Sequence, residues 1–277
     1  MKKCWLNNKV VLLTGASSGI GRELAKTLIM KNNCKIIGVG RSEEKMIKLK
    51  KDLGSFSSNF AYKLFDVGVE DNWRNLAKEL KDEKIDIIIN NAGILPSFAN
   101  FKNFVENDCT NSVEVGVNKV MSTNFMSAVY SVAYLSDIIE KSDAPAIINV
   151  DSSAGLCALP GITIYSASKG ALKNFTESLM CERKYYVGLI CPGFTKTDIF
   201  RNQKNNSEHK LINFISTSVE KMNKKIYKGI RKKKKRMVFG LDARAMDKLY
   251  RCMPKSSLKL FTSVLKKGKI DLFKDVF

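Results

Sequence analysis

A single histidine, His209, stands in 277 residues, and none of the seven cysteines forms a C-x-x-C pair. The common zinc spacings are therefore missing, and no metal site is expected. An odd cysteine count also gives no even disulfide framework, so free thiols in a reducing cytosol are the expectation. Proline is scarce, at 5 residues, while 44% of the chain is hydrophobic, which excludes a disordered chain and favours an ordered globular one. Long apolar runs are missing too. No stretch approaches the ~18 uninterrupted apolar residues of a spanning helix. The run Val10–Leu13 that follows Met1-Lys2-Lys3 is too short for a signal sequence. A soluble, cytoplasmic protein is expected, long enough for one large domain with a sizeable core.

Acidic residues are outnumbered, 27 against 47 basic ones, for a formal net charge of +20. Such a surplus attracts polyanions, yet charge runs usually face solvent. Specific nucleic-acid binding is not expected, because no recognition motif accompanies the charge.

Short β-branched runs alternate with helical patterns. Strands are predicted at Val10–Leu13, Lys35–Val39, Phe60–Phe65, Ile85–Ile89, Ala146–Val150, Val187–Ile190 and Met237–Phe239. Helices are predicted at Gly19–Met30, Glu43–Leu53, Asp71–Leu80, Ser112–Glu140, Ile164–Cys181 and Leu211–Ile230. The alternation predicts an α/β fold: a doubly wound parallel sheet of about seven strands with helices on both faces. Residues 1–240 read as one domain, and residues 241–277 as a basic helical extension packed on or near it. Residues 194–210 form a polar segment after a strand end, either a lid over a substrate or an ordinary surface loop.

Directly after the first strand comes Thr14-Gly15-Ala16-Ser17-Ser18-Gly19-Ile20-Gly21, opening a helix. Glycines allow close backbone approach, and the helix N-terminus offers free N–H groups to a pyrophosphate. Twenty residues beyond Gly21 stands Arg41, followed by Ser42. An acid near this point would hydrogen-bond a ribose 2′-hydroxyl, whereas an arginine suits a 2′-phosphate. NADP(H) is accordingly favoured over NAD(H). Asp66-Val67 and Asn90-Asn91-Ala92-Gly93, after the third and fourth strands, complete a cofactor rim.

Tyr165 and Lys169 are four residues apart, on one face of a predicted helix. There an ammonium can lower a phenol's pKa and make it a general acid or base toward a carbonyl or alcohol oxygen. Ser152 lies thirteen residues before Tyr165, and Pro192-Gly193-Phe194-Thr195-Lys196-Thr197 follows the sixth strand.

Taken together, these pieces resemble the short-chain dehydrogenase/reductase family, over roughly residues 7–240 and in family order. The resemblance implies a Rossmann-type fold and an oxidoreductase interconverting a carbonyl and a secondary alcohol. It implies Tyr165 as the catalytic acid/base, with Lys169 lowering its pKa and holding the nicotinamide ribose. Ser152 would bind the substrate oxygen, and Asn124 would hold a proton-relay water. Thr195 and Thr197 would contact the nicotinamide amide or phosphates. The substrate stays open among 3-oxoacyl thioesters, steroid- or lipid-like ketones and small carbonyls. Readings without turnover also stand: a cofactor-binding sensor, or a membrane-surface protein. A homodimer or homotetramer is expected.

Two features depart from the family. The stretch from Lys169 to Pro192 is a few residues short, and Asp151 precedes Ser152 where a small residue is more usual. Strand alternation is expected to aim Asp151 at the opposite face, yet a carboxylate there could still perturb the site. In the tail, Leu258, Leu260, Phe261, Val264 and Leu265 form an apolar stripe beside lysines. It suits peripheral membrane contact, but such a stripe more often packs on the protein's own body or on a subunit partner, which is the expectation.

Overall fold

The computed structural model describes residues 4–109, 112–197, 199, 216–268 and 273–276. Its centre is a seven-stranded sheet in which every pairing is parallel. The strands are β1 (Val10–Thr14), β2 (Lys35–Gly40), β3 (Phe60–Leu64), β4 (Ile87–Asn90), β5 (Ala146–Val150), β6 (Tyr186–Pro192) and β9 (Arg236–Phe239), in the order β3-β2-β1-β4-β5-β6-β9. A small second sheet pairs β7 (Thr195–Lys196) with β8 (Thr217–Ser218). The chain order reverses at β1 and β4, which opens the crevice beyond the carboxyl ends where ligands bind in such sheets.

The helices are α1 (Gly19–Asn32), α2 (Glu43–Asp52), α3 (Glu70–Glu79), α4 (Phe101–Asp108), α5 (Val113–Met121), α6 (Ser127–Ile139), α7 (Ser153–Leu156), α8 (Thr163–Glu182), α9 (Val219–Arg231), α10 (Leu241–Cys252) and α11 (Pro254–Lys267). Serine caps start several of them: Ser42 accepts from the Lys45 amide at 3.4 Å and Ser112 from that of Val115 at 3.1 Å. In α2, Glu43 and Glu44 sit in the first turn and Lys50 and Lys51 in the last, matching the helix dipole at both ends.

Period-2 alternation divides the core between the two faces of the sheet. Val11, Leu13, Ile87 and Ile148 pack with Leu24, Leu28, Met222 and Ile226 of α1 and α9. Leu12, Ile88 and Ile147 pack with Trp73, Leu135 and Leu179 of α3, α6 and α8. Between layers runs a buried polar chain. Ser131 donates to Asn90 at 2.8 Å, Asn90 to Asn149 at 2.8 Å, and Asn149 to Thr176 at 2.8 Å. It ties α6, β4, β5 and α8 together at fixed height, because a half-satisfied network here would be costly.

Three features differ from the sequence expectation. The single helix predicted over Ser112–Glu140 is split by a π-helical turn at Ser122–Met126, where the wider turn lets Asn124 bond another segment's backbone. The helix predicted from Leu211 begins at Val219, capped by Ser218; residues 211–215 lie outside the described residues. So do residue 198 and residues 200–210 of the candidate lid. The two-residue strands β7 and β8 and the four-residue α7 are too short to leave a period in the sequence.

The tail's apolar stripe is also divided. Leu258, Phe261 and Leu265 pack inward with Phe98, Leu159, Ile162 and Tyr165. Leu260 and Val264 stay about half exposed, at 50% and 51%. No helix among the described residues is long and apolar enough to cross a membrane.

α10 is fastened to the sheet by Arg236 of β9, whose guanidinium donates to both carboxylate oxygens of Asp247 at 2.8 and 2.7 Å. Those bonds hold the Asp247 carboxyl below its usual range, against the opposing effect of burial. A depressed carboxylate stabilises the fold above its unfolded pKa, and the gain is lost as pH falls through the folded value. Asp247→Asn is expected to lower stability by about 1–2 kcal/mol at neutral pH, Arg236 being partly exposed. Denaturant unfolding at several pH values would show the gap to wild type closing below about pH 4.

Candidate active site

The turn after β1 is shaped by contacts no side chain could share. Gly15 and Gly19 adopt φ of +65° and +51°, a region only glycine enters freely. A Cβ on Gly21 would collide with the Gly15 carbonyl oxygen. Across the crevice, Asn91 donates from its side chain to the Thr14 and Gly15 carbonyls at 3.0 and 3.2 Å. Thr14 answers with its hydroxyl, which accepts from the backbone N–H groups of Asn91 and Ala92 at 2.9 and 3.0 Å. Thr14 thus works as a clasp between β1 and β4, visible in sequence only as the first residue of the turn.

A cavity of about 350 Å³ opens beyond these strand ends. Gly15, Ser18, Gly19 and Ile20 line it from the turn, and Asn91, Ala92 and Gly93 from the end of β4. Ser152, Tyr165 and Lys169 line it from the β5 end and α8. Pro192, Gly193, Thr195 and Thr197 close the side after β6. Ser17 lines an adjoining recess with Arg22, Lys45, Lys48 and Lys196. Those four cations were not singled out by sequence, since they are scattered among 47 basic residues.

The remaining predicted residues stand outside the cavity wall. Arg41 is 63% exposed at the end of β2 and pairs with Asp66 at 3.4 Å. Ser42 caps α2. Val67 is buried, its carbonyl accepting from the Trp73 indole at 2.8 Å. Gly21 is buried behind the turn. Asn124 sits in the π turn and grips Ile94: its Oδ1 accepts from the Ile94 amide at 2.7 Å and its Nδ2 donates to the Ile94 carbonyl at 2.9 Å. The same Nδ2 donates to Ser168 at 3.1 Å, and Ser168 donates to the Tyr165 carbonyl at 2.7 Å. Asn124 therefore links the β4 loop to α8 from behind.

Tyr165 and Ser152 line the same cavity, and the Ser152 hydroxyl accepts from the Ala154 amide at 3.2 Å. The Lys169 ammonium donates to the Val150 carbonyl at 3.0 Å and stands 5.9 Å from the Tyr165 ring centre. Burial dominates the phenol: it is pushed up to about 12, with Asp151 adding to the rise and Ser152 opposing it. The lowering expected from Lys169 four residues on is not among the influences on the phenol, and desolvation sets the direction. Asp151 also departs from expectation. The strand ends at Val150, so alternation does not carry past it, and the Asp151 side chain lies buried within electrostatic reach of Lys169.

The far wall is apolar. Leu95, Phe98, Leu159, Ile162 and Phe194 line it, backed by Met246, Phe261 and Phe273 of the C-terminal segment. A surface of this kind excludes water and suits an apolar ligand body.

Residues 9–208 match the family model described as short chain dehydrogenase. The 3-oxoacyl-[acyl-carrier-protein] reductase of Vibrio harveyi is 32% identical over 201 residues, covering 70% of this chain and 76% of that one. A Burkholderia phymatum short chain dehydrogenase/reductase structure in complex with NAD superposes with a TM-score of 0.76 at 20% identity, covering 91% of this chain and 95% of the other. A Sphingobium yanoikuyae short-chain dehydrogenase in complex with NADPH gives a TM-score of 0.72 at 21% identity, covering 92% and 95%. At such identities the two structures show the shared fold.

Proposed function

The chain belongs to the short chain dehydrogenase family of oxidoreductases, and from that premise we propose that it uses NADP(H) to interconvert a carbonyl and a secondary alcohol at Ser152, Tyr165 and Lys169. One observation carries this reading: the three side chains share a single cavity with the glycine turn. The turn suits a dinucleotide, because Gly15, Gly19 and Gly93 leave backbone bare where side chains would stand, and a Cβ on Gly93 would lie 3.6 Å from the Lys169 ammonium. When bound, the nicotinamide supplies hydride exchange with carbon. The protein supplies orientation and a proton.

In the reductive direction the Tyr165 hydroxyl gives its proton to the carbonyl oxygen as charge develops there. Ser152, lining the same cavity as Tyr165, donates a second hydrogen bond to that oxygen and favours the alkoxide-like transition state. Lys169 supplies positive charge beside the phenolate left behind. The apolar wall keeps competing water away and strengthens each of these interactions. It also favours a bulky apolar ketone. The Vibrio relative's name supports a second substrate class, 3-oxoacyl thioesters.

Paired titration of NADPH and NADH into wild type and Arg41→Ala tests the cofactor reading. NADPH is expected to bind more tightly, and the advantage to fall by roughly 10–100-fold in the variant, the worth of one charge-assisted contact. Equal affinities unchanged by the substitution would reject it. Carbonyl reduction screened with an apolar aryl ketone, a steroid ketone and a 3-oxoacyl thioester then separates the substrate classes.

A further inference from the structure

In the wall of the cavity stands a buried acid that the reaction above does not use. Asp151 is 3% exposed. Its backbone N–H donates to the Ile190 carbonyl at 2.7 Å, which ties it to β6. Its Oδ2 accepts from the Cys191 thiol at 3.7 Å, a weak bond, and its Oδ1 has no hydrogen-bond partner among the described residues. The niche is shaped around the carboxylate. A Cβ on Gly155 would lie 2.8 Å from Asp151 Oδ1 and 2.8 Å from the Lys169 carbonyl, and would collide with Oδ2. Any side chain at position 155 would evict the acid.

A buried carboxylate with so few donors is unfavourable unless an opposite charge offsets it. Lys169 is the cation placed to do so: it is also 3% exposed and lines the same cavity. Its ammonium is bonded to the Val150 carbonyl just before Asp151, so that it acts on the carboxylate through space and not as an ion pair within 4 Å. The groups acting on the pair come from each packed element. α8 contributes Lys173 and Tyr165, and β6 contributes Cys191. Beyond these, Arg236 and Asp247 act on Cys191 and are bonded to each other. Desolvation draws Lys169 down from the usual lysine range, and Asp151 is the foremost group opposing that fall, ahead of Cys191. In turn burial pushes Asp151 up to about 7, with Lys169 the foremost group opposing the rise.

We propose that Asp151 is a positioning residue for this oxidoreductase, its buried carboxylate holding Lys169 as an ammonium while Tyr165 exchanges its proton. The proposal rests on the roles given above to Tyr165 and Lys169. A neutral lysine could still donate to Val150, though more weakly, but would offer a phenolate no charge. Asp151 is the carboxylate that acts on Lys169, so its removal leaves only the weaker influence of the Cys191 thiol against desolvation.

The test compares wild type with Asp151→Asn and with the smaller Asp151→Ser, which guards against one variant failing to fold. Trace acetic anhydride is allowed to compete for amines from about pH 6 to pH 11, and acetylation of the Lys169 peptide is read by mass spectrometry. This needs neither substrate nor cofactor. The midpoint for Lys169 is expected to fall by about one pH unit or more in both variants, other lysines keeping theirs. The pH profile of kcat for carbonyl reduction is then expected to lose its alkaline side at the same lowered midpoint. An unchanged Lys169 midpoint, or a uniform loss of kcat with no change of profile, would overturn the proposal. A shifted midpoint in a protein that reduces no carbonyl would overturn the assigned reaction, and the catalytic part of the proposal with it, while leaving the Asp151–Lys169 coupling measured.

Discussion

Tyr165→Phe is expected to lower carbonyl turnover by about 10²–10⁴-fold, the usual worth of a positioned proton donor, while NADPH affinity stays nearly intact. The ring is what packs: Tyr165 is 8% exposed and belongs to the apolar cluster with Phe98, Leu159 and Ile162. Phenylalanine keeps that packing and removes only the hydroxyl. The variant should therefore melt close to wild type, since losing the hydroxyl also removes a buried polar group. Stopped-flow or steady-state reduction, paired with a cofactor titration, separates the effects. A loss confined to kcat, with KM for the cofactor unmoved, identifies Tyr165 as a group acting in the transition state. Turnover retained within tenfold would mean that the proton comes from elsewhere.

That Tyr165 could be chosen from the sequence reflects how local its signal is. Four residues on one helix face, thirteen residues from Ser152, and a glycine turn between strand and helix are relations written within short windows. The strands were legible for a related reason. Parallel strands buried on both faces read as continuous apolar runs, as Ile87-Ile88-Ile89 and Val187 to Ile190 do. What stayed hidden depends on distance. Thr14 serves the Asn91 and Ala92 amides, 77 and 78 residues away, and no pattern in the turn announces it. Arg22, Lys45, Lys48 and Lys196 meet only because α1, α2 and the β6 loop converge. The π turn around Asn124 follows from its grip on Ile94, a tertiary contact that overrides helical period. Likewise the tail's stripe is compatible with lipid or protein by spacing alone. Only the inward packing of Leu258, Phe261 and Leu265 assigns part of it to the wall behind the cavity.

Gly21→Ala is expected to do the second-largest damage, although it adds a single methyl group to a helix. Helix propensity alone would favour alanine by about 1 kcal/mol. At position 21 the new Cβ meets the Gly15 carbonyl oxygen and the Asn91 amide nitrogen, and neither can step aside. Gly15 is held by its backbone N–H, which donates to the Val39 carbonyl at 2.8 Å, and Asn91 by its side-chain bonds to the Thr14 and Gly15 carbonyls. Overpacking together with one broken clasp bond is expected to cost about 2–4 kcal/mol of stability. The same displacement pushes the Gly15 backbone toward the cavity, so NADPH affinity should fall by roughly 30-fold or more. Gly170→Ala supplies the contrast. It lies within α8 beside Lys169, and a Cβ there meets nothing within 4 Å. Alanine at 170 should raise stability by about 0.5–1 kcal/mol and leave cofactor affinity alone. Thermal unfolding and NADPH titration of both variants decide the matter. If Gly21→Ala melts lower yet binds NADPH as wild type does, the turn is a packing device only and the dinucleotide lies elsewhere. If both properties fall together, the glycine serves the cofactor through the same close approach that joins α1 to β4.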